Sequence, residues 1–385
     1  MDPQRQFCPN MACPARGKIG ENNIVVHSRK EARYQCKICG KTFAATSGTP
    51  FYRLHHPADL MVIVATLIAH GCPLQAIVAA FHLDERTVMG WLERAGRHCQ
   101  RVHEHLVQQP RDLEHVQADE IRVKGQGKII WLAMAIMVST RLWLGGVIAR
   151  KRDERLILGL VQIIRQCALA RPLLICVDGF IAYVQAVQLV FRSPLPNGKR
   201  GRPRLISWPD FHLGQVVKRY QGKRVVDVTR RMAQGSLQAA RALLAKSHGG
   251  TKLNTAFIER LNATFRSRLA VLVRQSRALI RNPQTLEPLM YLMGCVYNFC
   301  TPHKSLRLKL WVGSHGFRWV QRTPAIAAGL TDHIWTVKEL LLFRIPPPEW
   351  RPPKHRGRPS LAEKTLIARW FMTTVYCEAT LSFPV

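Results

Sequence analysis

Two sets of side chains in the 385-residue chain have types and spacings that could do chemistry. The first is four cysteines. Cys8 and Cys13 flank four residues, Cys36 and Cys39 flank two, and Gly40 follows the second pair. Each close pair can place two thiolates on one tight turn, and two such turns complete a tetrahedral zinc site. The competing reading is a set of reduced core thiols. The second set is acidic: Asp119, Asp178 and Glu259. Three carboxylates brought together can hold two Mg2+ (or Mn2+) ions, which activate a water or a 3′-hydroxyl and stabilise a leaving oxygen. Spacing alone leaves each Asp equally readable as a cap or turn residue.

The elements that must position these groups are legible. Residues 116–124, 129–139 and 142–150 alternate as strands joined by short polar turns, an antiparallel meander. Residues 153–169 have helical spacing, and 173–177 form a buried strand running into Asp178 and Gly179. Meander, helix, strand is the order of an RNase H-like sheet, in which the strands of Asp119 and Asp178 are neighbours. A third carboxylate must come from a later helix. Among Asp210, Asp227, Glu259 and Glu287, only Glu259 sits in a strong helical pattern, from Thr255 to about Arg281. Ile258, Leu261, Phe265, Leu269 and Leu272 form its apolar face. At about 100° per residue, Arg266, Arg274, Arg277 and Arg281 fall near Glu259, giving an arginine row about 30 Å long if the helix is unbroken. The alternative is a solvated amphipathic helix. Glu120 competes with Asp119, but strand alternation sends the two to opposite faces.

Before the meander, residues 24–26 and 33–35 read as short strands between the cysteine pairs, in a segment too small to bury much core without a metal. Residues 59–70 and 74–81 then read as helices. His82 and Leu83 form a turn, and Asp84 caps a third helix to about Arg97. Val88, Leu92 and Ala95 make its buried stripe. Arg86, Arg94 and Arg97 lie on another face that could enter a DNA major groove; a plain three-helix packing unit is the alternative.

Charge points to the partner. The chain carries 57 Lys+Arg against 24 Asp+Glu, a net charge of +33, with 47% hydrophobic residues. That excludes wholesale disorder and disfavours an acidic ligand-binding enzyme; nucleic acid is the commonest partner of such a surface. Residues 191–254 hold 14 basic and 2 acidic residues, and 255–310 hold 9 and 2, so the polyanion should lie mainly there. Arg200, Arg202 and Arg204 occupy a Gly/Pro-stiffened stretch resembling an AT-hook, or equally an ordinary basic loop touching phosphates. Lys218 and Arg219 belong to an expected β-hairpin turning at Gly222. Residues 1–23 have no secretory pattern. The apolar run 129–149 has Arg141 within it and reads as strand–turn–strand rather than a membrane span. Eleven cysteines without a signal segment suggest a reducing compartment, and with the expected DNA partner the expected location is cytoplasmic (nucleoid-associated).

Four segments carry a family resemblance: Ala118-Asp119-Glu120, 177–183 around Asp178, 254–266 around Glu259, and 297–306. On these the chain resembles insertion-sequence DDE transposases that join a zinc ribbon and helix-turn-helix to an RNase H-like core. The resemblance covers residues 8 to about 360. It implies Asp119, Asp178 and Glu259 as catalytic magnesium ligands and structural zinc on Cys8, Cys13, Cys36 and Cys39. It further implies double-stranded DNA (terminal inverted repeats and target) as partner, a homo-oligomer on DNA, and no membrane. The expected fold is a multidomain α/β chain: zinc ribbon 1–50, helix-turn-helix 55–105, and a catalytic mixed sheet with flanking helices over 112–310. A basic insertion would occupy 191–254, and an appendage and tail 311–385. The rival functions are a non-catalytic DNA-binding regulator derived from a transposase, and an RNase H-like nuclease without strand transfer.

Overall fold

A computed structural model describes residues 1–125, 128–195, 201–222, 224–272, 285–313, 316–352 and 357–368. The chain divides into two compact units. One joins Met1–His55 to the segment from Leu342 onward; the other is His56–Leu341.

In the first unit, β1 (Ile24–Ser28), β2 (Arg33–Cys36) and β3 (Thr42–Ala44) form an antiparallel sheet in that order. Its core is small: Ile24, Tyr34 and Phe43 pack around Cys8, Cys13 and Cys36. The C-terminal part of the chain straps onto it. The Arg344 guanidinium donates to the Ser47 carbonyl at 2.9 Å and lies over the Phe7 ring. Arg16 donates to the Pro348 carbonyl at 2.7 Å. Gly17, at φ 74°, admits the Pro347 carbonyl where any Cβ would stand 2.3 Å from it. This return was not foreseen in the tail segment 311–385.

The second unit opens with α1 (Ala58–Ala69), α2 (Leu74–Phe81) and α3 (Glu85–Leu106). His82, at φ 51°, ends α2 in the left-handed conformation, and Asp84 accepts from Arg86 N at 2.8 Å to cap α3. Val88, Leu92 and Ala95 are buried as the stripe requires. A six-stranded mixed sheet follows, built from β4 (His115–Gly125), β5 (Lys128–Met137), β6 (Trp143–Ala149), β7 (Leu173–Asp178), β10 (Phe211–Gln221) and β11 (Arg224–Gln234). Between these strands run α4 (Glu154–Cys167), α5 (Ile181–Val190) and the small hairpin β8 (Arg192–Pro194) and β9 (Leu205–Ser207). The strand order is β11-β10-β7-β4-β5-β6; β4, β5 and β6 are the antiparallel meander, and β7 and β10 run parallel to β4. The apolar run 129–149 is therefore two strands of this sheet, and no helix of the described residues is long and apolar enough to cross a membrane.

Two expectations change. Residues 211–234 are not set apart in a basic insertion, because β10 pairs with β7 from Phe211↔Leu173 to Val216↔Asp178 and extends the sheet with β11. The basic residues gather in the second half of β10, past the buried stretch 211–216, where sequence composition masks its core role. The remaining elements are α6 (Leu237–Lys246), α7 (Ala256–Arg268), α8 (Leu286–Cys295), the hairpin β12 (Leu308–Trp311) and β13 (Phe317–Val320), α9 (Pro324–Ala327) and α10 (Val337–Leu342). The helix of Glu259 thus ends at Arg268 rather than running unbroken to Arg281. Leu269 turns extended at φ −117°, ψ 100°, a 3-10 turn follows over Ala270–Leu272, and both Leu269 and Leu272 are buried. Arg274, Arg277 and Arg281 lie outside the described residues, as does Arg200.

Candidate metal centres and active site

The four N-terminal cysteines converge. Cys8 and Cys39 sulfurs are 3.7 Å apart, Cys13 and Cys36 sulfurs 3.8 Å, and all four lie within 4.8 Å of one another. A tetrahedron with metal–sulfur bonds of about 2.3 Å has edges of about 3.8 Å, so the spacing fits a structural metal. The thiols crowd one another: the hydrogen-bonding contact between Cys13 and Cys36 pushes Cys13 up and Cys36 down. A metal cation would relieve that crowding by holding thiolates.

The acidic site is built at one end of the sheet. The β4–β7 pairing stops at Gln117↔Cys176, and two residues further on stand Asp119 and Asp178, in continued register. The strands part there, opening a cavity of about 700 Å3 lined by Asp119, Glu120, Asp178 and Glu259 with Arg152 and Lys218. The Asp119, Glu120 and Asp178 carboxylates come within 4.8 Å of one another. Glu259 shares the cavity but stands outside that tight group; it accepts from Lys218 Nζ at 2.5 Å and from Thr255 Oγ1 at 2.8 Å.

Alternation does send Asp119 and Glu120 to different partners. Asp119 faces α7, where Asn262 donates to it at 2.8 Å. Glu120 faces α5 and accepts from the Tyr183 hydroxyl. Their carboxylates nevertheless meet, because both sit where β4, still paired with β5, no longer pairs with β7. Arg152, just ahead of α4, spans the gap: it donates to Glu120 at 2.9 Å and to Asp178 at 2.6 Å. Burial first, then the negative charge of Glu120, pushes Asp119 up to about 7. Burial likewise raises Glu120. Four carboxylates facing three cations, Arg152, Lys218 and Arg266, still leave a formal excess of negative charge that a divalent ion would cancel, so the residues fit such an ion.

The position of α7 is set by a side chain that sequence reading did not select. Gln117, buried in β4, accepts from Phe257 N at 2.9 Å and Ile258 N at 3.1 Å, and donates to Asn254 at 3.1 Å. The residue before the helix, Thr255, makes no such cap, so Gln117 satisfies the orphan N–H groups of its first turn. Gln117 and Asp119 lie on the same face of β4, and thereby lock the helix of Glu259 at its start and in its middle.

The other expected site residues fall around this core. Lys218 stands two residues beyond Val216, the partner of Asp178, and Arg266 on α7 lines the cavity. Arg219 is exposed further along β10, and Arg202 and Arg204 are placed near β9. On α3, Arg86 and Arg97 are exposed and Arg94 is half-buried. That face is not purely cationic: Arg97 is paired with Glu93 at 2.6 Å, and Asp84 and Glu85 flank Arg86. Within the segment 297–306, buried Asn298 accepts from Trp143 N at 3.0 Å and donates to Trp143 O at 2.9 Å, an anchoring role on β6. Neither protein-family models nor curated proteins match the chain.

Proposed function

We propose that the chain is a DNA transposase: a magnesium-dependent enzyme that cleaves and joins DNA at insertion-sequence ends. The observation that carries this reading is Asp119 and Asp178 at matching positions on adjacent strands, with Glu259 from a helix locked against the same strand. The meander β4-β5-β6, helix α4 and strand β7 beside β4 support an RNase H-like core, and the four-cysteine cluster supports a zinc ribbon. Net charge of +33 supports double-stranded DNA as the substrate.

Bound divalent ions would activate a water or a 3′-hydroxyl and stabilise the leaving oxygen. The chain's own residues prepare that chemistry. Asp119, Asp178 and Glu259 hold the charge, with Glu120 as a fourth carboxylate in reach. Asn262 fixes the Asp119 rotamer, and Gln117 fixes the helix that delivers Glu259. Arg152 and Lys218 neutralise the carboxylates through ion pairs that a divalent ion would replace. Both line the cavity, which supports a role in meeting a DNA phosphate. The helices α1–α3 and the zinc ribbon would bind the terminal inverted repeats, with a homo-oligomer pairing two ends.

The test is incubation of the purified chain with Mg2+ and a duplex carrying the DNA that flanks its coding region. Cleavage followed by joined products supports the reading. Cleavage without joining supports a nuclease, and binding without cleavage supports a regulator.

A further inference from the structure

The hairpin β12–β13 exposes every residue of both strands. Its base is fixed: Leu306 is buried, Arg322 Nε donates to the Leu306 carbonyl at 2.8 Å, and His303 N donates to the Arg322 carbonyl at 2.9 Å. Beyond that base, among the described residues, the two strands pair only with each other, Lys309↔Trp319 and Trp311↔Phe317. Paired residues share a face, so one face of the hairpin carries Trp311, Phe317 and Trp319 with Lys309 among them. Trp311 is 73% exposed, an unusual cost for a residue of that size unless something covers it.

The rings are arranged edge to face, with centroids 5.9 Å apart for Trp311–Phe317 and 5.6 Å for Phe317–Trp319. Cations sit on them: Lys309 Nζ lies 3.9 Å from the Phe317 centroid, and the Arg307 guanidinium 3.9 Å from that of Trp319. Arg318 is exposed on the same strand, and no acidic residue occurs between Glu287 and Asp332.

We infer that this hairpin is a binding platform for unpaired nucleic-acid bases. Aromatic faces flanked by cations are what a single strand needs, because bases stack on the rings while the phosphates meet the charges. A duplex hides its base faces and offers only phosphates. A second copy docked on the ring face fits poorly, since it would set Arg307 and Lys309 against their own counterparts without an acid to meet them. The site is independent of the carboxylate cluster and of the transposase reading.

The experiment measures binding of a fluorescent oligo(dT), and of a duplex of equal length, to the full chain without added magnesium. Trp311→Leu with Trp319→Leu keeps apolar bulk but removes the rings. Loss of oligo(dT) affinity by about tenfold per ring is expected, with duplex affinity unchanged. Trp311→Phe with Trp319→Phe should restore most of the loss, which a merely structural role for indole would not. Lys309→Ala should flatten the salt dependence of oligo(dT) binding by roughly 0.7. Full oligo(dT) affinity in the Leu variant would overturn the proposal. So would sedimentation showing self-association of the wild type that the Trp311→Ala, Trp319→Ala variant abolishes while its oligo(dT) binding persists.

Discussion

Asp119 and Asp178 keep the register of their strands two residues after the strands have ceased to pair at Gln117 and Cys176. The sheet therefore aims both carboxylates into one opening without any loop having to hold them. A helix then supplies Glu259, and its placement is tied back to β4 by Gln117 and Asp119 themselves. The middle of β4, the end of β7 and the start of α7 form one frame.

Gln117→Leu tests that frame. The substitution is close in volume but leaves the Phe257 and Ile258 N–H groups of α7 without their side-chain partner and removes one of the hydrogen bonds that hold Asn254. Stability should fall by about 2 kcal/mol in chemical denaturation. Activity should fall further than the unfolded fraction explains, since Glu259 would lose its placement.

Arg152→Ala separates competition from positioning. Arg152 pairs with both Glu120 and Asp178. Its removal should lower metal-free stability by about 2 kcal/mol, through charged hydrogen bonds lost. It should also raise affinity for Mn2+ at least about tenfold, as a competing positive charge disappears. Titration calorimetry reads the second effect; weaker Mn2+ binding would mean that Arg152 positions ligands instead.

The metal-free protein should lose stability as pH rises. Asp119 is raised in the fold from 3.8 to about 7. The fold therefore keeps a proton that the unfolded chain releases above about pH 4. The stabilising contribution is full below that pH and is lost as pH rises through about 7. Thermal midpoints of wild type and Asp119→Asn, measured across this range, should diverge as pH rises, with the wild type losing stability that the amide variant keeps.

Much of this was legible in residue order. The paired cysteines, the His82 turn, the Asp84 cap and the meander all have local signatures, and local signatures survive into the fold. Glu259 was found by elimination among four acids, and its helix was overextended because Leu269 and Leu272 continue the apolar period while the backbone turns away at Leu269. Gln117 carried no signal: a carboxamide alternating within a strand looks like a solvent-facing residue. Arg152 was hidden similarly, as one basic residue among several before Asp153. The return of residues 344–350 to the cysteine unit depends on contacts between residues far apart in sequence, such as Arg16 with Glu349 at a separation of 333, which no local pattern encodes.

The cysteine cluster should hold one zinc. Cys36→Ser with Cys39→Ser should remove the metal, measured by elemental analysis, and unfold the unit formed by Met1–His55 and its C-terminal strap. The α/β unit should keep its own thermal transition, because its core contains none of these cysteines.

On the proposed function, Asp119, Asp178 and Glu259 together serve one metal-dependent reaction on DNA. The most direct measurement is Mg2+-dependent cleavage and joining of a duplex bearing the flanking end sequence, with Asp119→Asn, Asp178→Asn and Glu259→Gln beside the wild type. Each variant should bind the duplex with unchanged affinity, since binding rests on the basic surface, and each should lose at least about a hundredfold in rate. A Glu259→Gln protein that cleaves and joins at the wild-type rate would contradict the account, and would move the third carboxylate to Glu120.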